Sequence, residues 1–252
     1  RWTPPEVASF SGEWTDIEAA ISPDGERFFF VSNRPADETS GDPVEEDIWV
    51  MDRQGLGWGE PYNLGPPVNT ETAEFFPSVT RDGTLYFTRR GEDGSEAILR
   101  SRLENGRYQE PERLGPEVNS GKTRFNAFIA PDESFIIVCV WGREDSLGGV
   151  DYYVAFRSPE DVWSGPVNLG EAVNSPEGAE WSPYVSPDGR YLFFMSSRPG
   201  IRNRHAPNRL SYDELQAFHR EPRNGNGDLW WVDASFLQEL RRAIGGPEPA
   251  GS

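Results

Sequence analysis

Four charged side chains recur at one position of an internal repeat, and their types could support ion binding or catalysis. Each residue stands eight positions before the aspartate of a tight-turn sequence, and the four are Asp16, Glu74, Arg124 and Glu180. Three carboxylates brought together favour a hard cation such as Ca²⁺, or raise one another's pKa values toward the range that acid–base catalysis needs. The arginine could offset part of this negative charge or bind a carboxylate of a ligand.

These positions have three possible roles, which the sequence leaves open. Asp16, Glu74 and Glu180 could be metal ligands, with Ca²⁺ as the possible cofactor. Glu74 and Glu180 could instead be the acid and the base of a glycoside hydrolase or lyase, which would need two carboxyls roughly 5–10 Å apart. The third role is structural, with each carboxylate accepting hydrogen bonds from backbone amides at the rim of a channel.

A second set of residues recurs two positions further along each copy. It consists of Glu18, Phe76, Asn126 and Ser182, of which Glu18 and Asn126 are candidate ligand-binding residues. The set between the two is apolar and consists of Ile17, Phe75, Phe125 and Trp181. Because successive side chains of a strand point to opposite faces, this alternation predicts a strand with its apolar set packed in the core.

A long insertion at residues 200–227 carries a basic cluster on an otherwise acidic chain. We expect it to lie over the same channel mouth, with Arg204 and His205 as candidate ligand-binding residues. It is either a lid whose arginines bind an anionic ligand or a plug that neutralises the carboxylates. Ser211 and Glu214, three positions apart, predict a capping box at the start of a short helix.

Four copies of one repeat position all these residues. Each copy predicts a strand, a Pro-Asp-Gly type of turn and a second apolar strand, because Pro fixes φ and Gly accepts a positive φ. A third strand and a fourth element that contains a proline follow. The turn aspartates recur at intervals of 50–58 residues and are Asp24, Asp82, Asp132 and Asp188. Glu133 replaces the turn glycine in the third copy, which predicts a strained or differently built turn.

Charged residues also end the second strands and begin the third strands. Arg34 and Arg198 stand at the ends of second strands, and Asp47 and Asp228 begin the third strands of the same copies. We therefore expect an ion pair between these ends within each copy.

Four strands in about 50–58 residues correspond to one blade of a β-propeller. The sequence therefore predicts an all-β, four-bladed β-propeller. The chain begins with a copy of the fourth element, Trp2-Thr-Pro-Pro-Glu-Val, and none follows the last third strand. We expect this N-terminal strand to complete the last blade and to remove its open edge. A short C-terminal helix at Ala234–Ile244 ends a single domain of residues 1–244, and residues 245–252 form a tail.

The turns and strand ends resemble the PD40, or TolB-like, family of WD40-like propeller repeats. The matching residues are the Ser-Pro-Asp-Gly turns at Ser22 and Ser186, the Asn-Arg-Pro and Ser-Arg-Pro sequences at Asn33 and Ser197, and the Asp-Ile-Trp and Asp-Leu-Trp strands. The resemblance implies an exported bacterial protein, periplasmic or secreted. The chain starts without a Met or a signal-like segment, which we expect to reflect either a removed leader or a trimmed sequence. Related repeats occur in envelope proteins, peptidases and polysaccharide-degrading enzymes, so the resemblance implies the fold more than a reaction.

Composition excludes several classes of function. The net charge of −18 repels nucleic acid and anionic lipid, and no apolar run reaches the roughly 18 residues of a membrane span. Cys139 is the single cysteine, and neither a Gly-x-Ser-x-Gly elbow nor a Cys/His zinc pattern is present. We expect a monomeric, non-catalytic module that binds a small molecule, a glycan or an envelope protein at the channel mouth. The alternatives are a carbohydrate-active enzyme and a scaffold whose channel is plugged.

Overall fold

The computed structural model describes residue 4 and residues 6–36, 42–198 and 211–245. Its strands form four small antiparallel sheets, one for each predicted repeat, and one separate two-stranded hairpin. The first sheet contains β1 (Asp16–Ile21), β2 (Arg27–Ser32), β3 (Asp47–Gln54), β4 (Gly57–Trp58) and β5 (Tyr62–Asn63). The second contains β6 (Glu74–Val79), β7 (Leu85–Arg90), β8 (Glu96–Ser101) and β11 (Glu112–Arg113), with a small hairpin of β9 (Leu103–Glu104) and β10 (Arg107–Tyr108).

The remaining two sheets follow the same order along the chain. The third contains β12 (Thr123–Ile129), β13 (Phe135–Trp141), β14 (Val150–Phe156) and β15 (Val167–Asn168). The fourth contains β16 (Glu180–Val185), β17 (Tyr191–Ser196) and β18 (Asp228–Asp233). The helices are α1 (Tyr212–Arg220) and α2 (Phe236–Ala243). The predicted fold class, an all-β four-bladed propeller with a short C-terminal helix, is confirmed.

The chain divides into two compact units, each built on two sheets. One consists of Arg1–Leu114 with Ile129–Glu133, and the other of Gly115–Phe128 with Ser134–Ser252. In the first unit, Phe29 and Ile48 of one sheet pack against Leu85 and Phe87 of the next, all with 0% exposure. In the second unit, the core joins side chains of both sheets to Leu237 of α2. Burial of these alternating apolar faces is what stabilises each pair of sheets.

In the first three repeats, the fourth element forms a much shorter strand than the other three elements. Only two residues pair with the third strand in β5, β11 and β15. A proline, which has no N–H to donate, stands directly before each of these strands at Pro61, Pro111 and Pro166. The ladder therefore begins only after the proline.

The repeated turns are closed by a side-chain clip that fixes their shape. The Ser22 hydroxyl donates to Asp24 at 2.5 Å, and the same carboxylate accepts the Glu26 N–H at 3.0 Å. Ser186 and Asp188 repeat this arrangement, and Gly25 and Gly189 take the positive φ that the turn requires. These donors lower the pKa of Asp24 and of Asp188 below the usual value of 3.8.

The clips predict a specific acid sensitivity. A carboxyl whose pKa is lower in the folded state stabilises the fold above its unfolded pKa, and this contribution is lost as the pH falls through the folded pKa. In the double variant Ser22→Ala/Ser186→Ala, which lacks both hydroxyl donors, we expect the free energy of unfolding to fall less steeply with decreasing pH than in the wild type, below about pH 4. Urea unfolding of both proteins between about pH 6 and pH 2.5 measures this. Parallel curves for variant and wild type would contradict it.

Glu133 occupies the glycine position of the third turn, and the predicted unusual geometry is confirmed. Its φ is +56°, in the left-handed region that favours glycine. The side chain compensates for this, because one carboxylate oxygen accepts a hydrogen bond of 2.7 Å from the buried Tyr86 hydroxyl. The cost of the left-handed backbone at Glu133 is thus offset by a buried hydrogen bond to the neighbouring sheet of the same unit.

Removing this acceptor should destabilise the protein. We expect Glu133→Ala to reduce the free energy of unfolding by about 1–3 kcal/mol, because the Tyr86 hydroxyl loses the carboxylate acceptor. Glu133→Gln, which keeps a carbonyl acceptor, is the matched control and should stay within about 1 kcal/mol of the wild type. Tyr86→Phe in the Glu133→Ala background should cost little more. Denaturant unfolding checks the three variants, and equal costs for Ala and Gln would contradict the account.

Left-handed backbone recurs in the first strand of each repeat, at the second set of residues. Glu18, Phe76, Asn126 and Ser182 all have φ between +49° and +62°. The register shifts at this point in the three first strands β1, β6 and β16. Left-handed backbone at non-glycine residues costs roughly 1–3 kcal/mol each, so its repetition at equivalent positions marks a built feature.

Several predictions concern residues outside the described part of the chain. The closing strand falls mainly on residues 1–3 and 5, and among the described residues the fourth sheet has three strands. Residues 199–210, with Arg204 and His205, and residues 246–252 of the tail also lie outside it. The predicted C-terminal helix is confirmed as α2. Neither described helix is long and apolar enough to cross a membrane.

Candidate functional site

Glu74 begins β6 and is completely enclosed by donors from the preceding loop and the neighbouring strand β7. Its side chain has 0% exposure. One carboxylate oxygen accepts hydrogen bonds from the Thr70 hydroxyl at 2.6 Å and Arg89 Nε at 2.7 Å, and the other accepts the Thr70 N–H at 2.9 Å. Burial raises the pKa of Glu74, and the bonds from Thr70 and Arg89 oppose this rise. The carboxylate ties the preceding loop to the strand.

Glu180 begins β16 and has the same kind of environment. Its side chain is 0% exposed and accepts hydrogen bonds from the Ser196 hydroxyl at 2.7 Å and the Ser175 N–H at 3.2 Å. The Arg198 guanidinium lies 3.6 Å from the same oxygen that Ser196 contacts. Burial raises the pKa of Glu180, and these donors oppose the rise.

Asp16 begins β1 and is also paired with an arginine. Arg34 Nη2 donates to Asp16 Oδ1 at 2.6 Å, while Arg34 Nε donates to Ser32 Oγ at 2.9 Å. The Asp16 side chain is 4% exposed. Unlike the two glutamates, it keeps one oxygen free, because Oδ2 is buried without a hydrogen-bond partner.

Arg124 holds the equivalent position at the start of β12, but it donates hydrogen bonds where the carboxylates accept them. Its guanidinium donates to the backbone carbonyls of Gly121 and Lys122 at 3.3 and 3.1 Å. Where Glu74 and Glu180 accept a backbone N–H from the preceding loop, Arg124 therefore donates to the preceding loop. The residue types differ, but each one fastens the loop that enters the first strand.

The predicted ion pairs between second and third strands are wrong. Arg34 and Arg198 contact the acids at the start of the first strands instead of Asp47 and Asp228. The enclosed first-strand carboxylates need a cation to offset their desolvation. Asp47 accepts the Asn63 amide at 2.6 Å, and Asp228 accepts the Arg223 N–H at 2.5 Å.

The contacts of the predicted metal and acid–base residues match the structural role. The oxygens of Glu74 and Glu180 are directed at donors of the preceding loops and of the paired second strands. Within residues 4, 6–36, 42–198 and 211–245, no group of three or more His, Cys, Asp or Glu side chains is arranged to hold a metal ion. The donor set that Ca²⁺ prefers, several oxygens with free lone pairs around one point, is therefore not assembled there.

The second predicted set joins neighbouring sheets within each unit. The Glu18 carboxylate accepts the Phe76 N–H at 2.7 Å in the first unit. In the second unit, the Asn126 amide donates to the Ser182 hydroxyl at 3.5 Å. Each of these hydrogen bonds joins the left-handed residue of one sheet to the left-handed residue of the neighbouring sheet in the same unit.

A surface cavity of about 350 Å³ lies at the start of β1, in the first unit. Two predicted ligand-binding residues, Asp16 and Glu18, line it together with Ile17. We expected Ile17 to be packed in the core, but 42% of its side chain is exposed at this cavity. Its equivalent Phe75 is buried as predicted.

An asparagine that the sequence analysis missed fastens the third strands β3 and β14. Asn69 accepts the Ile48 N–H at 3.0 Å and donates to the Ile48 carbonyl at 2.9 Å. Asn174 makes the same pair of bonds to Tyr152, at 2.8 and 3.0 Å. The sequence did contain a signal for this asparagine, because the fourth element continues as Leu-Gly-x-x-Val-Asn in three repeats.

The insertion in the last repeat is described from residue 211 onward. The predicted capping box is confirmed, since Ser211 Oγ accepts the Glu214 N–H at 3.3 Å and Glu214 accepts the Ser211 N–H at 2.8 Å. The helix α1 that follows is largely exposed, with Tyr212 at 72%. Arg204 and His205 lie outside the described residues, so their predicted roles stay predictions.

Comparison with known proteins places the chain by fold alone. No family model and no curated protein matches it. TolB from Acinetobacter baumannii is similar in structure, with a TM-score of 0.51 and 16% identity over 88% of this chain and 42% of that chain. A putative TolB from Agrobacterium tumefaciens has a TM-score of 0.46 and 19% identity over 71% of this chain and 53% of its own.

A mutant NanB sialidase from Streptococcus pneumoniae gives a TM-score of 0.41 at 14% identity, covering 72% of this chain and 27% of that chain. Of these three similarities, the one to Acinetobacter TolB bears on the fold and supports a TolB-like propeller. The chain spans less than half the length of that protein. Function must therefore be argued from the residues themselves.

Proposed function

We propose that this chain is a non-catalytic ligand-binding β-propeller domain. The proposal rests on the contrast between the enclosed carboxylates Glu74 and Glu180 and the two acidic residues that line a cavity, Asp16 and Glu18. Glu74 and Glu180, the residues best placed in sequence for catalysis, are fully enclosed and bound by the protein's own donors. Asp16 and Glu18 instead line a cavity of about 350 Å³, a volume typical of small-molecule sites.

The enclosed glutamates do not suit the alternative of a carbohydrate-active enzyme. A general acid or base must come within hydrogen-bond reach of the substrate. To do so, Glu74 would have to release both Thr70 and Arg89, and Glu180 would have to release Ser196 and Ser175. Such a rearrangement would leave the arginines buried without their partner.

The proposal extends to the family and location of the domain. The Ser-Pro-Asp-Gly turns with their side-chain clips, together with the TolB-like fold, support assignment to the PD40 or TolB-like repeats. That resemblance supports a place in the bacterial periplasm or outside the cell. The acidic surface supports partners such as small molecules, glycans or envelope proteins rather than nucleic acid, and we propose that the domain is a monomer.

Turnover measurements test the absence of catalysis. We expect the purified protein to release no product from a panel of nitrophenyl glycosides, oligosaccharides, peptides and esters. Glu74→Gln and Glu180→Gln serve as matched variants that keep the size of each side chain. Turnover by the wild type that either variant abolishes would overturn the non-catalytic proposal.

Thermal unfolding with a ligand panel tests binding at the cavity. We expect at least one small molecule or glycan fragment to raise the melting temperature of the wild type. Ala19→Trp, which places a large side chain at an exposed cavity position, should abolish the rise. Ala172→Trp, also at an exposed position but outside the cavity, is the control and should keep it. Equal responses of both variants would contradict binding at the cavity.

A further inference from the structure

The third strand of the last repeat, β18, has an open outer edge. In the described part of the chain it pairs with β17 alone, whereas the third strands of the other repeats also pair with a short fourth strand, β5, β11 or β15. The chain continues after β18 as the helix α2 instead of a fourth strand. Natural sheets rarely leave such an edge uncovered, because its free N–H and C=O groups can pair with another chain.

The face of the fourth sheet beside this edge is apolar and exposed. Leu229 and Trp231 of β18 are 76% and 62% exposed, and Met195 and Phe193 stand opposite them on β17. The equivalent side chains of β3 and β14 are fully buried, and they are Ile48, Val50, Tyr152 and Val154. A contiguous apolar surface of this kind marks an interaction site.

The other repeats show which segment covers this edge. Each of them continues after its third strand with the sequence Pro-x-x-Leu-Gly-x-x-Val-Asn. In the third repeat, the Leu169 N–H donates to the Tyr152 carbonyl at 3.1 Å, and the Asn174 side chain bonds both the N–H and the carbonyl of Tyr152. Leu169 and Val173 are buried in the same core cluster as Tyr152. The edge of a third strand is thus covered by an extended segment that contributes two aliphatic side chains and an asparagine.

The N-terminal copy of the fourth element lacks the residues that make these contacts. It shares the tryptophan and the proline of the element, but Ala8 stands at the position of the leucine and Glu13 at that of the asparagine. Both residues are exposed and lie in no strand. The N-terminal copy therefore supplies neither the leucine nor the asparagine that covers the edge in the third repeat.

We propose that the open edge of β18 binds an extended segment of a partner protein by strand addition. Leu229 follows the acidic residue that begins β18, as Ile48 and Tyr152 do in β3 and β14, so its N–H and carbonyl face the open edge. The partner segment pairs with the main chain of Leu229 and Trp231, packs a leucine on their side chains and bonds Leu229 through an asparagine. This surface lies in the second unit and is additional to the cavity of the proposed function.

A peptide with the sequence of residues 163–174 provides a probe, since it contains the complete fourth element of the third repeat. Fluorescence anisotropy measures its binding to the full chain. We expect this peptide to bind at least tenfold more tightly than matched peptides that carry Leu169→Ser or Asn174→Asp. The comparison changes only the peptide, so it does not depend on the folding of a variant protein. Equal binding of the three peptides would overturn the inference.

Protein variants locate the binding surface. Leu229→Thr/Trp231→Thr removes the apolar face but keeps a residue type that favours strands, and it should weaken peptide binding at least tenfold. Val162→Thr, at an exposed valine of the same unit outside the fourth sheet, is the matched control and should leave binding unchanged. The peptide should also slow hydrogen exchange at the Leu229 and Trp231 amides. Equal binding by the two variants, or unchanged exchange at these amides, would contradict strand addition to β18.

The remaining outcomes concern the chain's own N-terminal segment and the proposed function. A variant that lacks residues 1–6 should bind the peptide as the full chain does. Binding by the shortened chain alone would overturn the inference, because the N-terminal segment would then cover the edge. Failure of the peptide to bind either form would overturn it as well. The turnover assays and the ligand panel concern the glutamates and the cavity, so they decide the proposed function separately.

Discussion

Arg89→Met should reduce the free energy of unfolding by about 3–5 kcal/mol, because it leaves the Glu74 carboxylate buried without its cation. Arg89 also donates to the carbonyls of Pro67 and Val68 at 3.1 and 2.8 Å. The side chain therefore holds the loop before β6 by two contacts and the start of β6 by a third, to Glu74. Urea unfolding measures the cost, and thermal unfolding should show a drop in melting temperature of roughly 6–20 °C.

The neighbouring arginine provides a matched control. Arg90 lies 3.7 Å from Glu96, but its side chain is 43% exposed, so Arg90→Met should cost only about 0–1 kcal/mol. Adding Glu74→Gln to Arg89→Met removes the stranded charge and should recover part of the loss. Equal costs for the two arginine variants would contradict a structural role for the Glu74–Arg89 pair.

Asn69→Ala should be the second most damaging change, at about 2–3 kcal/mol. The substitution leaves the Ile48 N–H buried without an acceptor. It also removes one of the two donors to the Ile48 carbonyl, and the Leu64 N–H remains as the other. The side-chain oxygen of Asn63, Oδ1, also loses the hydrogen bond of 2.8 Å that the Asn69 amide donates. Denaturant unfolding measures the loss.

Two variants show whether the buried bonds cause this cost. Asn69→Asp keeps the acceptor for Ile48 but places oxygen where the amide nitrogen donated, so it should be about as damaging as alanine. Asn33→Ala removes an exposed hydrogen bond to the Thr15 N–H and should cost about 1 kcal/mol or less. A cost for Asn69→Ala no larger than that for Asn33→Ala would show that the asparagine does not fasten the strand.

The strands were predictable because their signals are local. The Pro-Asp-Gly turns set where each first hairpin reverses, and the third strands begin at or within one residue of the acidic positions Asp47, Glu96, Asp151 and Asp228. The fourth strands were less predictable in length, since a proline removes the donor that would extend their ladders. The repeat register identified Glu18, Phe76, Asn126 and Ser182 as equivalent positions, but the pattern gave no sign of their left-handed backbone.

The roles of the charged residues were not predictable from spacing. The sequence placed Asp16, Glu74 and Glu180 at equivalent positions, but it could not show which way each carboxylate points. Their partners also vary along the chain. Arg34 and Arg198 stand two residues beyond the strand position opposite the acid, whereas Arg89 stands directly opposite Glu74. Side-chain direction and burial, which decide these pairs, depend on the packed structure.

The cavity had no signal in the repeat, because it depends on a segment outside the repeated pattern. The turn at residues 8–11 brings Phe10 onto Phe28 and Phe30 and leaves space beside Asp16. Two of the residues that line it, Asp16 and Glu18, were nevertheless found from the register, since they begin the first strand and occupy its bulge.

The central claim is that Glu74 and Glu180 fasten the loops that precede their strands and are neither Ca²⁺ ligands nor catalytic residues. Thermal unfolding after EDTA treatment, and then with added Ca²⁺ at constant ionic strength, tests it most directly. A cation bound at about 100 times its dissociation constant would add about 2.7 kcal/mol, a rise of roughly 5–10 °C for a chain of this size. We predict no rise with Ca²⁺. A rise of that size that Glu74→Gln and Glu180→Gln abolish would contradict the account.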